Sequence, residues 1–183
     1  RATTRFRLNL ATGRLASFDR NWQNIPPELR QIFIPDDGVF TWMDYSQIEL
    51  RIFAFMSQDT AMMAEYSKEQ SDIHATTQQA FWPGSDPKNK SIRTAAKTCN
   101  FTIIYDGSPT TIVGRINASL REAGIGDSYT WEQARDFKSR WLITYSGGRS
   151  WMDRQKLVTE SYAESLFGRR MRLPDLSDFE NTN

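Results

Sequence analysis

The sequence predicts an α+β fold, with short antiparallel strands near both ends of the chain and helices between them. Residues 4–17 alternate around a Thr12-Gly13 turn, which is typical of two short strands. Residues 165–174, SLFGRRMRLP, are typical of a β-hairpin that turns at Gly168. Between these two stretches, apolar residues recur at helical spacing.

The other elements follow from the same kinds of pattern. Helices are expected at residues 47–57, 59–68, 72–82, 87–105, 109–122, 131–145 and 150–163. The apolar run 39–43 predicts a buried strand, and 24–27 an irregular loop. Thr130 with Gln133, and Ser150 with Asp153, resemble helix capping boxes. One helical stripe predicts core residues: Trp131, Ala134, Phe137, Trp141 and Tyr145.

Composition limits the class of protein. The 183 residues are 39% hydrophobic, which is enough for one domain with a core. The net charge of +1 does not by itself indicate a nucleic-acid partner. One cysteine and one histidine exclude an internal disulfide and a Cys/His zinc site, which favours a reducing, intracellular (cytoplasmic) setting. No apolar run approaches the roughly 18 residues needed to cross a membrane.

RTAAKTCNFTIIYD, residues 93–106, places two cations and then two aromatic residues at intervals of four: Arg93, Lys97, Phe101 and Tyr105. A helix turns about 100° per residue, so these side chains form one slowly winding ridge with steps of about 6 Å. Its cationic half lies toward the helix N-terminus, where the helix dipole also favours anions. A nucleoside triphosphate has an anionic end and a flat, stackable end, and it would fit this ridge.

A second informative stretch is FTWMDYSQIELR, residues 40–51. The predicted strand runs into Asp44, and a helix begins shortly afterwards. A carboxylate at the end of a strand can hold a divalent cation, or it can simply help to terminate the strand. Glu49 has a structural alternative as well, because Ser46 and Glu49 have the spacing of a capping box.

Together these stretches resemble the family A DNA polymerases, the DNA polymerase I type. DYSQIELR at 44–51 resembles motif A, and the ridge is similar to motif B, the O-helix of the fingers. Further matches follow in the family's order: TGRLAS at 12–17, NWQNIP at 21–26, SDIHATT at 71–77 and LFGRRMRLPD at 166–175. The resemblance covers nearly the whole chain.

The resemblance implies a role for each matching residue at a nucleotide site. Asp44, with the backbone carbonyl of Tyr45, would bind the two catalytic Mg²⁺ ions. Glu49 would exclude a ribose 2′-OH, and Ile48 would line the nascent base pair. The residues implied to hold the triphosphate, sugar, base or template position are His74, Arg93, Lys97, Phe101 and Tyr105. Lys97 is also implied to be catalytic, and Arg51 to support the site structurally.

The resemblance also implies DNA contacts and a domain layout. Arg14 would reach the minor groove at the primer end, with Asn21, Gln23 and Asn24 near the template–primer. Residues 1–58 would form a palm portion with motif A, 59–145 the fingers with the O-helix near 87–105, and 146–183 a return to the palm. The implied partners are primer–template DNA and dNTPs, and the implied reaction is two-metal nucleotidyl transfer.

The sequence departs from the family pattern in two respects. Thr102 and Asp106 stand where motif B usually has glycine. Motif C, which supplies a second metal-binding aspartate, is not found in these residues, and Asp175 lies in the wrong motif to replace it. The missing motif C leads to the expectation that the chain is a polymerase fragment, incomplete and inactive alone. It would be either part of a longer protein or the partner of a second polypeptide that carries motif C and the thumb.

Three alternatives stay open from the sequence. A non-catalytic subunit, or one half of a split polymerase, would bind nucleic acid and nucleotide without performing the reaction. A single-subunit, phage-type RNA polymerase has a similar motif B, but Glu49 and Phe101 argue against it. Reverse transcription by the same fold is also compatible with the sequence.

Overall fold

The computed structural model describes residues 3–8, 10, 13–41, 43–157 and 162–172, without the side chains of Pro27 and Arg172. The chain divides into two compact units. One consists of Arg1–Asp44 and Thr159–Asn183, and the other of Tyr45–Val158. The division at residues 58 and 145 that the family resemblance implies stays a prediction.

The first unit contains two separate antiparallel hairpins. Strand β1 (Arg5–Arg7) pairs with β2 (Ala16–Phe18), with Phe6 opposite Ser17. Strand β3 (Tyr162–Glu164) pairs with β4 (Arg170–Arg172). Gly168 lies in the second turn with a φ of +78°, a conformation that glycine adopts without steric cost. The hairpins and the helices between them confirm the α+β class.

The expected buried strand at residues 39–43 is wrong. No strand includes the described residues of this run, and its side chains are exposed: Val39 by 85%, Phe40 by 68% and Met43 by 88%. An apolar run becomes a strand only where a second strand pairs with its backbone. The expected loop at 24–27 lies where two short 3-10 helices meet, Trp22–Asn24 and Pro27–Ile32.

The second unit is helical, and most of its helices lie close to the expected positions. They are α1 (Ile48–Ser57), α2 (Thr60–Tyr66), α3 (Ile73–Phe81), α4 (Lys90–Ile104), α5 (Pro109–Glu122), α6 (Trp131–Thr144) and α7 (Ser146–Gln155). The capping box of Thr130 and Gln133 is confirmed at the start of α6. In α6 the predicted stripe is buried from Ala134 to Tyr145, whereas Trp131 is 43% exposed, so its assignment to the core is wrong. Trp131 occupies the first turn and stacks with the Arg135 guanidinium instead.

Helix α7 differs most from the expectation of a helix at 150–163. It begins at Ser146 because Asp59, the N-cap of α2, accepts a hydrogen bond from the Gly148 N–H at 3.0 Å. The expected capping box at Ser150 is wrong, since Ser150 lies inside the helix and donates to the Ser146 carbonyl. The helix ends at Gln155, and residues 162–164 form β3 instead.

Close packing between helices explains why the start of α7 is rich in glycine. A Cβ on Gly148 would lie 2.7 Å from the Phe53 ring of α1. Phe53 in turn packs against Trp141 and Trp151, with ring centroids 6.0 and 5.4 Å away. Around these rings the apolar faces of the helices form one core, which also buries Leu50, Ile73, Cys99 and Ile103.

Candidate functional site

The predicted ridge lies on α4 and its C-terminal cap. The Asn89 side chain caps the helix by accepting from the Ile92 N–H. Ala96, Cys99 and Ile103 face the core, whereas the Lys97 side chain is exposed and Phe101 is half-buried. Tyr105 lies one residue past the helix, as its C-cap, and is 61% exposed. The helix therefore presents a cation and an aromatic face on its outer side, as the spacing predicts.

Arg93 is held by an acidic residue that the sequence analysis did not assign. Its Nη2 lies 2.8 Å from Oδ2 of Asp72, the N-cap of α3. The other carboxylate oxygen of Asp72 accepts from the backbone N–H groups of His74 and Ala75. Burial alone would raise the pKa of Asp72, but the bonds from Arg93 and Ala75 hold it below its usual range. Asp72 thus orients Arg93 and the first turn of α3 together.

His74 is buried in that first turn of α3. Only 5% of it is exposed, and its ring centroid lies 5.6 Å from that of Phe101. The pKa of His74 is lowered to about 4, chiefly by burial; Asp72 opposes this shift, and Lys97 and Arg93 contribute to it. The ring is neutral near pH 7, so it can offer a hydrogen bond but not a positive charge.

A groove of about 440 Å³ lies between α4 and α5 beside this surface. Lys97 and Phe101 line it from α4, and Arg115 lines it from α5. The groove therefore places the cation of Arg115 near Lys97 and Phe101 of the ridge. Sequence reasoning missed Arg115, because a single exposed arginine on a helix is no signal by itself.

The departures from motif B lie where α4 ends. Asp106 has a φ of +54°, and its carboxylate lies 3.2 Å from Nζ of Lys138 and 2.8 Å from Nζ of Lys156. The bond from Lys156 lowers the pKa of Asp106, with help from Lys138 and against a smaller effect of burial. Gly107 closes the turn by donating to the Thr102 carbonyl at 2.9 Å, and a Cβ there would collide with the Thr102 methyl.

The positive φ of Asp106 leads to a stability prediction. Asp106→Ala should be less stable than Asp106→Gly by about 1 kcal/mol, because both lose the same ion pairs but only alanine strains the left-handed backbone. Urea unfolding of both variants measures the difference. At Asp136, inside α6, the order should reverse, since glycine is the poorer helix residue by about 1 kcal/mol. Equal stability of the two Asp106 variants would contradict the prediction.

The start of α1 tests the capping-box interpretation of Glu49. The N-cap of α1 is Gln47, in a left-handed conformation with a φ of +56° and no side-chain cap bond. Ser46 is not the N-cap, so the capping-box interpretation is wrong, and Glu49 lies half-buried in the first turn. Arg51 donates to the Ser46 carbonyl at 2.9 Å and to the Ser71 hydroxyl at 3.0 Å. These bonds give Arg51 a structural role at this end of α1.

The first unit contains Asp44 and the candidate DNA-binding residues. The Asp44 side chain is exposed. Asn21 accepts from the Ser17 hydroxyl at 2.7 Å, and Gln23 bridges the Ser17 N–H and the Leu15 carbonyl. Asn24 closes a 3-10 turn beside them. All four candidate residues, Arg14, Asn21, Gln23 and Asn24, are exposed, and Asn21 and Gln23 are also bonded to the hairpin.

A comparison with known proteins identifies the family. The sequence model of the family described as DNA polymerase family A matches residues 1–183. The chain belongs to DNA polymerase family A. It is 36% identical over 182 residues to the thermostable DNA polymerase I of Thermus thermophilus, covering 91% of this chain and 20% of that protein.

Other family A relatives agree with this match. The thermostable DNA polymerase I of Thermus aquaticus is 35% identical over 178 residues, 91% of this chain and 20% of that protein. DNA polymerase I of Bacillus subtilis (strain 168) is 33% identical over 186 residues, 95% of this chain and 20% of that protein. The chain thus spans about a fifth of the length of these relatives.

The part of this family A chain that the structure describes holds no group of three or more His, Cys, Asp or Glu side chains arranged for a metal ion. Asp175 lies outside the described residues. Within the described residues, no helix has both the length and the apolarity to cross a membrane.

Proposed function

We propose that this chain forms the nucleotide-selecting part of a template-directed DNA polymerase, which transfers a nucleotide from a dNTP to a primer 3′-OH. The observation that carries the proposal is the outer side of α4. There an exposed Lys97 and a half-buried Phe101 lie along a groove that also contains Arg115. The relatives of this family A chain are named DNA polymerase I.

In this proposal the triphosphate lies along α4, which belongs to a fingers subdomain. Lys97 is the exposed charge that meets the phosphates, and Arg93 is pre-oriented by Asp72. Phe101 offers a ring for the sugar or base, with His74 packed beside it. Tyr105, at the exposed C-cap, would occupy the templating position. Because these groups bind by position and charge, they suit phosphoryl transfer, in which the protein performs little covalent chemistry.

The proposed metal ligands are Asp44 and the backbone carbonyl of Tyr45, in the palm portion. Mg²⁺ prefers oxygen ligands and commonly takes one or two carboxylates, completing its shell with water and substrate phosphates. An exposed carboxylate followed directly by a backbone carbonyl fits part of such a shell. When bound, Mg²⁺ would lower the pKa of the primer hydroxyl and neutralise phosphate charge.

Primer–template DNA is the proposed macromolecular partner. Arg14 and Asn24 have exposed side chains near the first hairpin, where the proposal places the DNA backbone and grooves. Asn21 and Gln23 bond to Ser17 and Leu15 and so fix the segment that follows the hairpin. They would therefore affect DNA binding chiefly by positioning this segment. The comparisons give no support to a separate second polypeptide, and the proposal does not include one.

Primer extension by a complete polymerase that carries this sequence tests the proposal. With Mg²⁺ and all four dNTPs, the nucleotide added should be the complement of each template base. Omitting the complementary dNTP should stop extension at that position. Nucleotide addition that ignores the template, or nucleotide binding without extension, would contradict the proposed function and favour a non-catalytic module.

Glu49→Ala is expected to admit ribonucleotides. Glu49 has no capping-box role, because Gln47 is the N-cap of α1. In the proposal the Glu49 carboxylate lies beside the sugar 2′ position, where it would exclude a hydroxyl. Removing one such group should change the ratio of dNTP to rNTP use by about 10- to 200-fold. Single-nucleotide incorporation with matched dNTP and rNTP measures this ratio.

Glu49→Gln is the matched control, because it keeps the volume of the side chain and removes only its charge. If exclusion is steric, the glutamine variant should retain most of the discrimination. Unchanged sugar selection in Glu49→Ala would remove Glu49 from this role.

A further inference from the structure

A buried asparagine joins the proposed nucleotide-binding helix to α6. Asn100 is completely buried on the inner face of α4. Its amide oxygen accepts from Nε1 of Trp141 at 2.7 Å and from the Thr77 hydroxyl at 3.1 Å. An indole N–H can only donate, so the atom that faces it has to be the oxygen. Trp141 therefore fixes the orientation of the amide, which side-chain shape alone leaves ambiguous.

The orientation of Asn100 in turn fixes the proton on His74. The Asn100 amide nitrogen, Nδ2, lies 3.0 Å from Nδ1 of His74 and can only donate. Nδ1 must therefore accept, so the neutral ring carries its proton on Nε2. This assignment follows from hydrogen bonds between three helices, and the low pKa of His74 agrees with a neutral ring.

We propose that Asn100, oriented by Trp141, is a positioning residue that makes His74 a neutral Nε2–H donor to an oxygen of the bound triphosphate. The inference rests on the proposed nucleotide-binding function of α4. A neutral donor suits this place, because Arg93 and Lys97 already supply positive charge near the ring and a further buried charge would be costly. Lys97 then provides electrostatic attraction, and His74 provides a directed hydrogen bond.

The protonation of His74 can be measured directly, because the chain contains a single histidine. In an isotope-labelled sample near neutral pH, nuclear magnetic resonance should show a proton on Nε2 and none on Nδ1. Asn100→Asp keeps the shape but can no longer donate, so it should move the proton to Nδ1 and raise the pKa of His74. Trp141→Phe removes the indole donor and should give a mixture of both tautomers.

The functional readout is the dNTP dependence of primer extension by a complete polymerase that carries the same substitutions. Asn100→Asp and Trp141→Phe should raise KM for dNTP about tenfold with little change in kcat, as expected for one lost hydrogen bond to a charged ligand. Trp151→Phe, which changes an indole packed on Phe53, is the matched control and should behave like the parent.

A proton on Nδ1 in the parent protein would overturn the inference. So would a parent-like KM in variants whose His74 proton has moved. If Asn100→Asp fails to fold, Trp141→Phe carries both readouts. The proposed function fails in a different way, namely if Lys97→Ala leaves KM for dNTP unchanged while the His74 proton lies on Nε2 as inferred.

Discussion

Asp44→Asn is expected to abolish nucleotide addition in a complete polymerase while primer–template binding stays near the parent level. The carboxylate would hold the metal ions that stabilise the charge developing in the transition state. It would contribute little to the binding of duplex DNA. Loss of an outer partner of a metal ligand typically costs about 10- to 100-fold, so loss of the ligand's own charge should cost more than about 100-fold. Because Asp44 is exposed, the substitution should leave folding unchanged.

Two assays on the same preparation separate these effects: the rate of single-nucleotide extension, and the fluorescence anisotropy of a labelled primer–template. Asp37→Asn is the matched control, since Asp37 is another exposed acid of the same unit and asparagine can still accept from the Gly38 N–H. Near-parent turnover by Asp44→Asn would remove Asp44 from the metal site. A loss of DNA binding equal to the loss of turnover would point to a structural role.

Lys97→Ala is expected to weaken dNTP use more than Arg93→Ala does. The Lys97 side chain is exposed beside the groove, whereas Arg93 is already bonded to Asp72 and has less to gain from a phosphate. Losing the Lys97 contact should cost about 1.5–3 kcal/mol, which corresponds to about 10- to 150-fold in kcat/KM. Arg93→Ala should cost less than that.

Steady-state extension at varied dNTP concentration measures both effects. Lys90→Ala removes a lysine from the first turn of the same helix, about 10 Å along the helix axis from Lys97, and should change kcat/KM by less than about twofold. A Lys90→Ala effect as large as that of Lys97→Ala would mean that the helix acts through general charge. A larger effect of Arg93→Ala than of Lys97→Ala would contradict the proposed placement of the phosphates.

Patterns that depend on one helix or one hairpin were predictable from the sequence. The spacing of Arg93, Lys97 and Phe101 defines a face of α4 whatever the helix packs against. The same applies to the Gly168 turn and to the capping box of Thr130 and Gln133, whose bonds join residues only three apart. Local geometry decides these features.

Two of the wrong predictions failed because of partners that are distant in the chain or missing. The run at 39–43 lacks a pairing strand among the described residues, so its apolar character did not bury it. The start of α7 depends on Asp59, which is 89 residues away from Gly148 in the chain, and a search for a nearby cap therefore chose Ser150. The capping box at Ser46 failed for a local reason, because its neighbour Gln47 adopts a left-handed conformation and is itself the N-cap of α1.

The sequence by itself determined the family and the residue types on the outer side of α4, because motif order and helical spacing are properties of the chain alone. Only the tertiary structure decided how those side chains are oriented and where the His74 ring carries its proton. Asp72 reaches Arg93 from another helix, and Trp141 acts through Asn100 to fix the proton on His74. Hydrogen bonds depend on which groups packing brings within about 3 Å, and desolvation depends on which groups it buries. The residues around His74 come from three helices, so they meet only once the chain has folded.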